Sequence, residues 1–334
     1  MNAAAFSWDA LRLDPALETA RIASAIRELV AKQLRRRGVV VGLSGGIDSS
    51  VAAALSVQAL GKDRVLGLFM PEADSSDDSL RLGRLAADSL GIKTVLEDIG
   101  PILAAAGCYR RRDEAIKKVL PEYGDGYKSK LVLPNVFEAD GYSIFHVVVE
   151  SPSGVRTKAR LSAEAYLGIV AATNFKQRTR KMMEYYHADR LNYAVVGTPN
   201  RLEYDQGFFV KNGDGAADLK PIAHLYKSQV YRLAEYLRVP EEIQKRPPTT
   251  DTYSLQQSQE EFHFTLPYDK MDLCLYGKNR GIPAAEVAPA AGLTLAEVER
   301  VWRDIDAKRK ATRYQHLPPL MVETVGEISA EARV

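Results

Sequence analysis

The residues best suited to chemistry form a short loop, rich in glycine and serine, between an apolar run and a helical pattern. The run Val39–Leu43 is followed by Ser44-Gly45-Gly46-Ile47-Asp48-Ser49. Glycines let backbone N–H groups approach an anion, serine hydroxyls donate to it, and a helix beginning near Ser49 adds the positive end of its dipole. Asp48 is negatively charged and would repel a phosphate, so we expect it to hold a Mg²⁺ that bridges phosphate oxygens. The loop therefore predicts a pyrophosphate site.

This loop differs from the two commonest nucleotide-binding motifs. It lacks the Gly-Lys-Ser/Thr of a Walker A loop and the Gly-x-Gly-x-x-Gly of a dinucleotide fingerprint. It does resemble the Ser-Gly-Gly-x-Asp-Ser loop of the N-type ATP pyrophosphatases. The resemblance implies that ATP is cleaved between its α and β phosphates.

A second group of residues follows the predicted strand Tyr193–Val196, at the strand end where open α/β sheets bind ligands. It comprises Gly197-Thr198-Pro199-Asn200-Arg201-Leu202-Glu203, the stretch from Gly207 through Lys211-Asn212-Gly213-Asp214-Gly215 to Asp218, and Leu225-Tyr226-Lys227-Ser228-Gln229. Taken singly, each piece is an ordinary turn or surface segment. Taken together with Asn174, Arg178 and Tyr185 on the preceding helix and with Pro248-Thr249-Thr250-Asp251, they resemble the ammonia-dependent NAD synthetases.

The resemblance implies a two-step amide synthesis. The nicotinate carboxylate of deamido-NAD attacks the α-phosphate of ATP, which gives an acyl adenylate and pyrophosphate. Ammonia then attacks the activated carbonyl, and AMP leaves. We expect no glutaminase domain before the loop, so the implied donor is free ammonia or ammonia from a separate partner protein.

The resemblance also implies residue roles. The ATP co-substrate is expected at Leu43, Ser44, Gly45, Gly46, Asp48, Ser49, Met70, Thr198, Lys227 and Thr249. The catalytic residues are expected to be Asp48, Thr198, Asp214, Lys227 and Thr249, with Asp214 taking a proton from the ammonium species. The dinucleotide is expected at Asn174, Arg178, Tyr185, Lys211 and Asp218. Asp48 and Glu203 are the predicted Mg²⁺ ligands.

Positioning these residues requires strands that end together at one edge of a sheet. Apolar runs predict strands at Val65–Met70 and Thr94–Ile99 besides the two already named, and helical spacing predicts the intervening helices. Helices are predicted at Leu17–Leu34, Ser49–Leu60, Tyr166–Ala188, Lys227–Leu237 and Leu295–Lys310, the last after an irregular stretch rich in Pro, Thr, Gln and Glu. We predict an α/β fold with a doubly wound parallel sheet and flanking helices, which the resemblance identifies as adenine nucleotide alpha hydrolase-like.

One region interrupts this alternation. Residues 109–163 contain a charged helical piece, a Gly/Tyr-rich turn and two alternating runs, Tyr142–Glu150 and Val155–Leu161, joined by Ser151-Pro152-Ser153-Gly154. The two runs predict a β-hairpin. We expect one domain over residues 15–325, with residues 109–163 inserted in it and flexible termini at 1–14 and 326–334.

Composition restricts the function classes. A net charge of +2 in 334 residues gives no support for nucleic-acid binding, no signal peptide or membrane span is evident, and the widely separated Cys108 and Cys274 favour neither a disulfide framework nor a zinc ribbon. We expect a cytoplasmic enzyme. The resemblance implies a homodimer that binds the dinucleotide across its interface.

Some segments depart from the family pattern. Gln257-Ser258-Gln259-Glu260-Glu261 is followed by Phe262-His263-Phe264 where the family tends to have Glu-Leu-Gly, and the C-terminal basic element is replaced by Arg313-Tyr314-Gln315-His316. The residues expected to bind ATP all match the family pattern, whereas only some of those expected to bind the acyl substrate match it. A related ligase that adenylates another carboxylate therefore stays open as an alternative, as does a non-catalytic nucleotide-binding regulator. Sulfur transfer to tRNA is disfavoured, because it would require a cysteine pair and a basic face.

Overall fold

The computed structural model describes residues 6–132, 145–249, 252–255, 263–264, 266–323 and 325. The strands are β1 (Val39–Gly42), β2 (Val65–Phe69), β3 (Lys93–Leu96), β4 (Lys128–Val132), β5 (His146–Glu150), β6 (Arg156–Arg160) and β7 (Ala194–Val196). The helices are α1 (Pro15–Glu28), α2 (Ile47–Leu60), α3 (Asp77–Leu90), α4 (Gly100–Ala105), α5 (Cys108–Lys117), α6 (Ala163–Leu191), α7 (Arg201–Gln206), α8 (Lys227–Tyr236), α9 (Glu241–Lys245), α10 (Tyr268–Arg280), α11 (Ala284–Ala291) and α12 (Leu295–His316). A π-helical turn, Leu29–Gln33, extends α1, and short 3-10 helices lie at Trp8–Leu11 and Lys62–Arg64.

Four parallel strands form the central sheet in the order β3-β2-β1-β7. Val40 of β1 lies opposite Leu66 of β2 and Val195 of β7. The three valines of β1 are completely buried, as expected for a parallel strand covered on both faces by helices. The predicted α/β class with a parallel sheet is confirmed.

Alternate side chains of β1 enter different cores. Val39 and Val41 pack with α1, α2 and α8, whereas Val40 packs with residues of α4, α5 and α6. Helices on both faces force the functional groups to the edge where β1, β2 and β7 end. The candidate residues were predicted to lie at this edge of the sheet.

A second sheet, antiparallel and ordered β4-β5-β6, lies within residues 109–163. The predicted hairpin is confirmed with shorter strands, β5 and β6; residues 142–144 of its first run lie outside the described residues. Leu131, Val147 and Val149 form its core against α5 and α6. That this region is an insertion in a single domain stays a prediction.

The stretch before α12 is not irregular as predicted, because it contains α10 and α11. Each helix starts directly after a proline, Pro267 or Pro283, and ends at a left-handed glycine, Gly281 or Gly292. Proline before a helix and glycine after it are boundary signals, so the prolines mark helix starts here. Together with α12 these helices enclose a separate apolar core.

Among the described residues, none of the helices combines the length and the apolar character that crossing a membrane requires.

Candidate active site

The predicted pyrophosphate loop connects β1 to α2. Gly45 has φ +74°, and a Cβ there would lie 2.5 Å from the backbone oxygen of Ser79, so both conformation and space require glycine. The Ser49 hydroxyl donates to the Gly46 carbonyl at 3.0 Å, and the Gly46 N–H donates to the Ser44 hydroxyl at 3.3 Å. The loop is therefore held in shape by its own side chains at the N-terminus of α2.

Two adjoining cavities open at the carboxyl ends of the strands. The smaller has a volume of about 160 Å³ and the larger, called the cleft below, about 900 Å³, which suits a small-molecule site. The residues that line both, and so form their boundary, are Ser44, Ser79, Gln177, Thr198 and Asp214.

The structure brings most of the candidate residues to these cavities. Leu43 and Met70 line the smaller cavity. The cleft is lined by Gly46, Asp48, Ser49, Asn174, Arg178, Glu203, Lys211, Lys227 and Thr249. Thr250, Asp251 and residues 257–262, which the sequence also singled out, lie outside the described residues.

Lys227 is the electrostatic centre of the cleft. It is the first residue of α8, its side chain is fully buried, and its ammonium pairs with Asp48. Asn200 donates to the other Asp48 oxygen at 3.2 Å. Burial alone would lower the pKa of Lys227, but the carboxylates of Asp48 and Glu203 outweigh it and raise that pKa. Lys227 is therefore a fixed cation facing the phosphate loop.

The predicted metal ligands fit a hard cation. Burial, followed by the nearby Asp48 carboxylate, raises the pKa of Glu203, while Lys227 opposes the shift. Such repulsion between two carboxylates is what a divalent ion relieves. Within the described ranges, no three His, Cys, Asp or Glu side chains converge on one point. Two carboxylates suit Mg²⁺, which usually takes its remaining ligands from water and phosphate.

Asp214 lies at the boundary of the two cavities. Its carboxylate accepts the Val210 N–H at 2.7 Å. Burial raises the pKa of Asp214, and this outweighs the hydrogen bond and the positive charge of Lys181. A carboxyl group with a raised pKa is better matched to taking up a proton near neutral pH.

The predicted dinucleotide residues separate into two groups. In the cleft, Arg178 Nε donates to the Lys211 carbonyl at 3.3 Å, and Lys211 Nζ donates to the carbonyls of Tyr314 and Leu317 at 2.8 and 3.1 Å. Lys211 therefore connects the cleft to the C-terminal end of α12.

Tyr185 and Asp218 lie elsewhere and line neither cavity. The Tyr185 hydroxyl donates to Asp218 at 3.2 Å, and the other Asp218 oxygen accepts the Val195 N–H at 2.7 Å. Burial, with Asp218 beside it, raises the pKa of Tyr185. Within one chain the two residues contact each other and the edge of the sheet rather than the cleft.

Sequence reasoning missed several residues of the site. Arg246, just before Pro248-Thr249, donates to the Ser79 hydroxyl of α3 at 2.9 Å and to the Gly45 carbonyl at 3.5 Å, and so joins the Thr249 segment to the phosphate loop. Glu184 lines the smaller cavity and accepts from Lys181 at 2.6 Å. Burial raises the pKa of Glu184. Glu184 lies seven residues, or two helical turns, after Gln177 on α6, so both face the smaller cavity from one side of the helix.

A buried ionic network supports the cleft from behind. We call Lys176, Glu72, Asp74, Arg112 and Tyr109 the Lys176 network. Lys176 Nζ lies 2.9 Å from Glu72 Oε1 and 2.6 Å from Asp74 Oδ2, and it donates to the Thr252 carbonyl at 2.8 Å. Arg112 also pairs with Asp74, and the Tyr109 hydroxyl donates to Glu72 at 2.9 Å. The network fixes the segment that follows Thr249 to α6.

Strand β4 holds the same segment from the other side. The Ser129 N–H donates to the Ser254 hydroxyl at 2.8 Å, and the Leu255 N–H donates to the Ser129 carbonyl at 3.1 Å. The second sheet therefore contacts the chain next to the cleft directly.

Comparison with known proteins gives consistent matches. The NAD synthase family model matches residues 18–120 and 146–315. The NH(3)-dependent NAD(+) synthetase of Rhizobium meliloti is 63% identical over 327 residues, which cover 98% of each chain. The structure of the NMN synthetase from Francisella tularensis covers 94% of this chain and 100% of its own, with a TM-score of 0.65 at 21% identity. The NH3-dependent NAD synthetase from Campylobacter jejuni covers 93% and 100%, with a TM-score of 0.61 at 22% identity. These two structures share the fold of this chain.

Proposed function

The chain belongs to the NAD synthase family, and from this premise we propose that it converts deamido-NAD, ATP and ammonia into NAD, AMP and pyrophosphate. The observation that carries the proposal is the cleft. It combines the phosphate loop, the buried Lys227, Asp214 and the polar residues Asn174 and Arg178 in one space. The alternative, a ligase for a different carboxylate, gains no support from the relatives.

In the first step the nicotinate carboxylate attacks the α-phosphorus of ATP. The bond from this phosphorus to the bridging oxygen breaks, and pyrophosphate leaves. Ser44, Gly46 and Ser49 hold the leaving pyrophosphate at the N-terminus of α2. Lys227 and Thr198 stabilise the charge that develops on the transferred phosphate, and Arg246 keeps the Thr249 segment close to the same phosphates.

Asp48 and Glu203 would hold Mg²⁺. When bound, this ion would neutralise the phosphate oxygens that face the incoming carboxylate. Lys227 pairs with Asp48, so the lysine already balances part of the carboxylate charge.

In the second step Asp214 takes a proton from ammonium, and the resulting ammonia attacks the acyl carbon. The nitrogen loses a second proton to solvent, the bond from this carbon to the adenylate oxygen breaks, and AMP leaves. The raised pKa of Asp214 favours this proton transfer. The ammonia comes from solution or from a separate glutaminase.

We further propose that the enzyme is a single-domain homodimer with the inserted region 109–163. The exposed side chains Met182 and Tyr186, 53% and 58% exposed, stand one turn apart on α6 and supply an apolar surface for a second copy. Tyr185 and Asp218 line neither cavity of their own chain, so we assign their substrate contact to this interface. Sedimentation equilibrium should give twice the chain mass of 36.9 kDa, and a single chain mass would contradict the dimer.

The function is tested with purified protein, ATP, Mg²⁺, ammonium and deamido-NAD, with chromatographic separation of the products. The proposal expects NAD, AMP and pyrophosphate in equal amounts. An Asp214→Asn variant is the matched control, because it should retain adenylation while losing ammonia-dependent turnover. Turnover of another carboxylate, with none of deamido-NAD, would instead establish the alternative.

A further inference from the structure

An exposed apolar segment follows α12. Leu320 and Met321 are 80% and 63% exposed, and Val322, the next residue, is fully exposed. A run of three exposed apolar residues is unusual on a protein that works alone, because each side chain forgoes the free energy that burial would provide. We call residues 317–322 the C-terminal arm. The arm lies beyond residue 315, the last residue that the family model matches.

The root of the C-terminal arm is attached to the wall of the cleft. Lys211 Nζ donates to the carbonyls of Tyr314 and Leu317 at 2.8 and 3.1 Å. The His316 ring packs edge-on against the Phe209 ring, with a centroid distance of 5.0 Å. Both Lys211 and Phe209 line the cleft. These contacts give the arm a fixed starting point at the end of α12.

The backbone carries the C-terminal arm away from its own chain. Leu317 has φ −73° and ψ 133°, which is close to the polyproline II conformation. Pro318 and Pro319 follow, and their rings fix φ at a value that favours the same extended form. Every residue from 317 to 322 is exposed. The arm therefore projects into solvent and does not fold back over the cleft of its own chain.

The C-terminal arm starts beside the surface that we propose for a second copy of the chain. Arg178 Nε donates to the carbonyl of Lys211, the residue whose ammonium holds Leu317. Arg178, Met182 and Tyr186 follow one another at four-residue spacing on α6, so they share one side of that helix. One lysine side chain therefore separates the root of the arm from the stripe of α6 that carries the exposed Met182 and Tyr186.

We propose that the C-terminal arm docks on a second copy of this chain, beside α6, and buries Leu320, Met321 and Val322 in the homodimer. The inference rests on the proposed homodimer and goes beyond it, because it adds a segment outside α6 to the interface. A stable interface buries about 800 Å² on each partner, more than the side chains of Met182 and Tyr186 can supply. The arm provides further apolar area, and in a two-fold dimer each of its contacts forms twice.

Sedimentation of the 334-residue chain over a dilution series tests the contribution of the arm. Leu320→Asp places a charge where an apolar side chain would be buried, and it should raise the dissociation constant of the dimer by about 100-fold. Leu17→Asp is the matched control, because Leu17 on α1 is 70% exposed, and it should change this constant by less than about twofold. Leu320→Met keeps an apolar side chain and should dimerise like the wild type. An unchanged constant for Leu320→Asp, or an equal rise for Leu17→Asp, would overturn the proposal.

A photochemical cross-link identifies the surface on which the arm docks. Unlabelled chain with photoreactive benzoylphenylalanine in place of Met321 is mixed with an excess of ¹⁵N-labelled wild type and irradiated after subunit exchange. Mass spectrometry should find the arm of the unlabelled chain joined to a ¹⁵N-labelled peptide in or beside α6. Cross-links confined to the unlabelled chain would show that the arm covers its own cleft and would overturn the proposal, as would the absence of any cross-link.

These outcomes separate the arm from the homodimer and from the reaction. A wild type that sediments as a single chain contradicts the homodimer itself. A wild-type dimer that Leu320→Asp leaves unchanged contradicts only the arm. At concentrations where Leu320→Asp is still dimeric, its kcat should equal that of the wild type, because the arm touches no reacting atom. A wild type that dimerises but makes no NAD contradicts the proposed reaction and leaves the arm standing.

Discussion

The substitution Lys176→Met removes the cation at the centre of the Lys176 network and keeps most of the side-chain volume. Lys176 is 1% exposed and faces Glu72, Asp74 and the Thr252 carbonyl. Its contact with Glu72 Oε1 is an ion pair without hydrogen-bond alignment. After the substitution, Arg112 is left to balance two buried carboxylates.

The expected loss of stability follows from this imbalance. Removing one partner of a buried ion pair costs about 3–5 kcal/mol, because the remaining charge stays buried without compensation. For 334 residues, an unfolding entropy of about 2.1 cal/mol/K per residue gives about 0.7 kcal/mol/K in total. Lys176→Met should therefore lower Tm by about 4–7 °C.

Differential scanning calorimetry measures this shift, and the chain provides a matched control. Lys245 on α9 pairs with Glu241 at 2.5 Å, but the two side chains are 72% and 76% exposed. Lys245→Met should lower Tm by less than about 1 °C, because solvent screens exposed pairs. Equal Tm shifts for the two variants would refute the argument that the buried ion pairs of the Lys176 network stabilise the fold more than an exposed pair does. Lys176→Met should also raise the KM of ATP, since it frees the segment that follows Thr249.

Three further predictions concern single side chains. Asp48→Asn should reduce pyrophosphate release by about 10³-fold with an unchanged circular dichroism spectrum; retained release would refute the role of Asp48. Gly45→Ala should cost about 2 kcal/mol or more and raise the KM of ATP, because φ is +74° and Ser79 blocks the space. Gly61→Ala, at φ +81° with nothing within 4 Å, is strained by its backbone alone and should leave KM unchanged, because it lies outside the loop. Burial raises the pKa of Asp272 from 3.8 to about 6. Because folding then disfavours the ionised form, the contribution of Asp272 to stability should fall by about 3 kcal/mol as pH rises from about 4 to about 6. The Tm of Asp272→Asn relative to the wild type should accordingly be about 4 °C higher at pH 7 than at pH 4, and a constant difference would contradict this.

Local pattern was sufficient for the central sheet. The valine run of β1, the glycines after it and the helical spacing of α2 are all encoded within a short window, and the structure confirms them. The helices α10 and α11 were missed because their flanking prolines resemble loop signals unless they are treated as helix starts. Strand β4 alternates lysines with apolar or small residues. It forms by pairing with β5 and by contacting Leu255. A local sequence pattern cannot predict partners that are so distant in the chain.

In the candidate site, too, some residues could be predicted from the sequence and others could not. Spacing on one helix was sufficient to place Asn174 and Arg178 on one face, and the structure brings both to the cleft. Arg246 and Glu184 carry no motif, since a single arginine or glutamate is usually a solvated surface residue. Their positions depend on tertiary packing against Ser79 and Lys181. The roles assigned to the site residues stay predictions.

The central claim is that the substrate carboxylate attacks the α-phosphate of ATP in this cleft. Deamido-NAD labelled with ¹⁸O in both carboxylate oxygens tests it directly, with mass spectrometry of the products after turnover with ATP and ammonium. One labelled oxygen should appear in AMP and the other should remain in the amide of NAD. Unlabelled AMP formed together with NAD, or label in pyrophosphate, would contradict an acyl adenylate and with it the assigned chemistry.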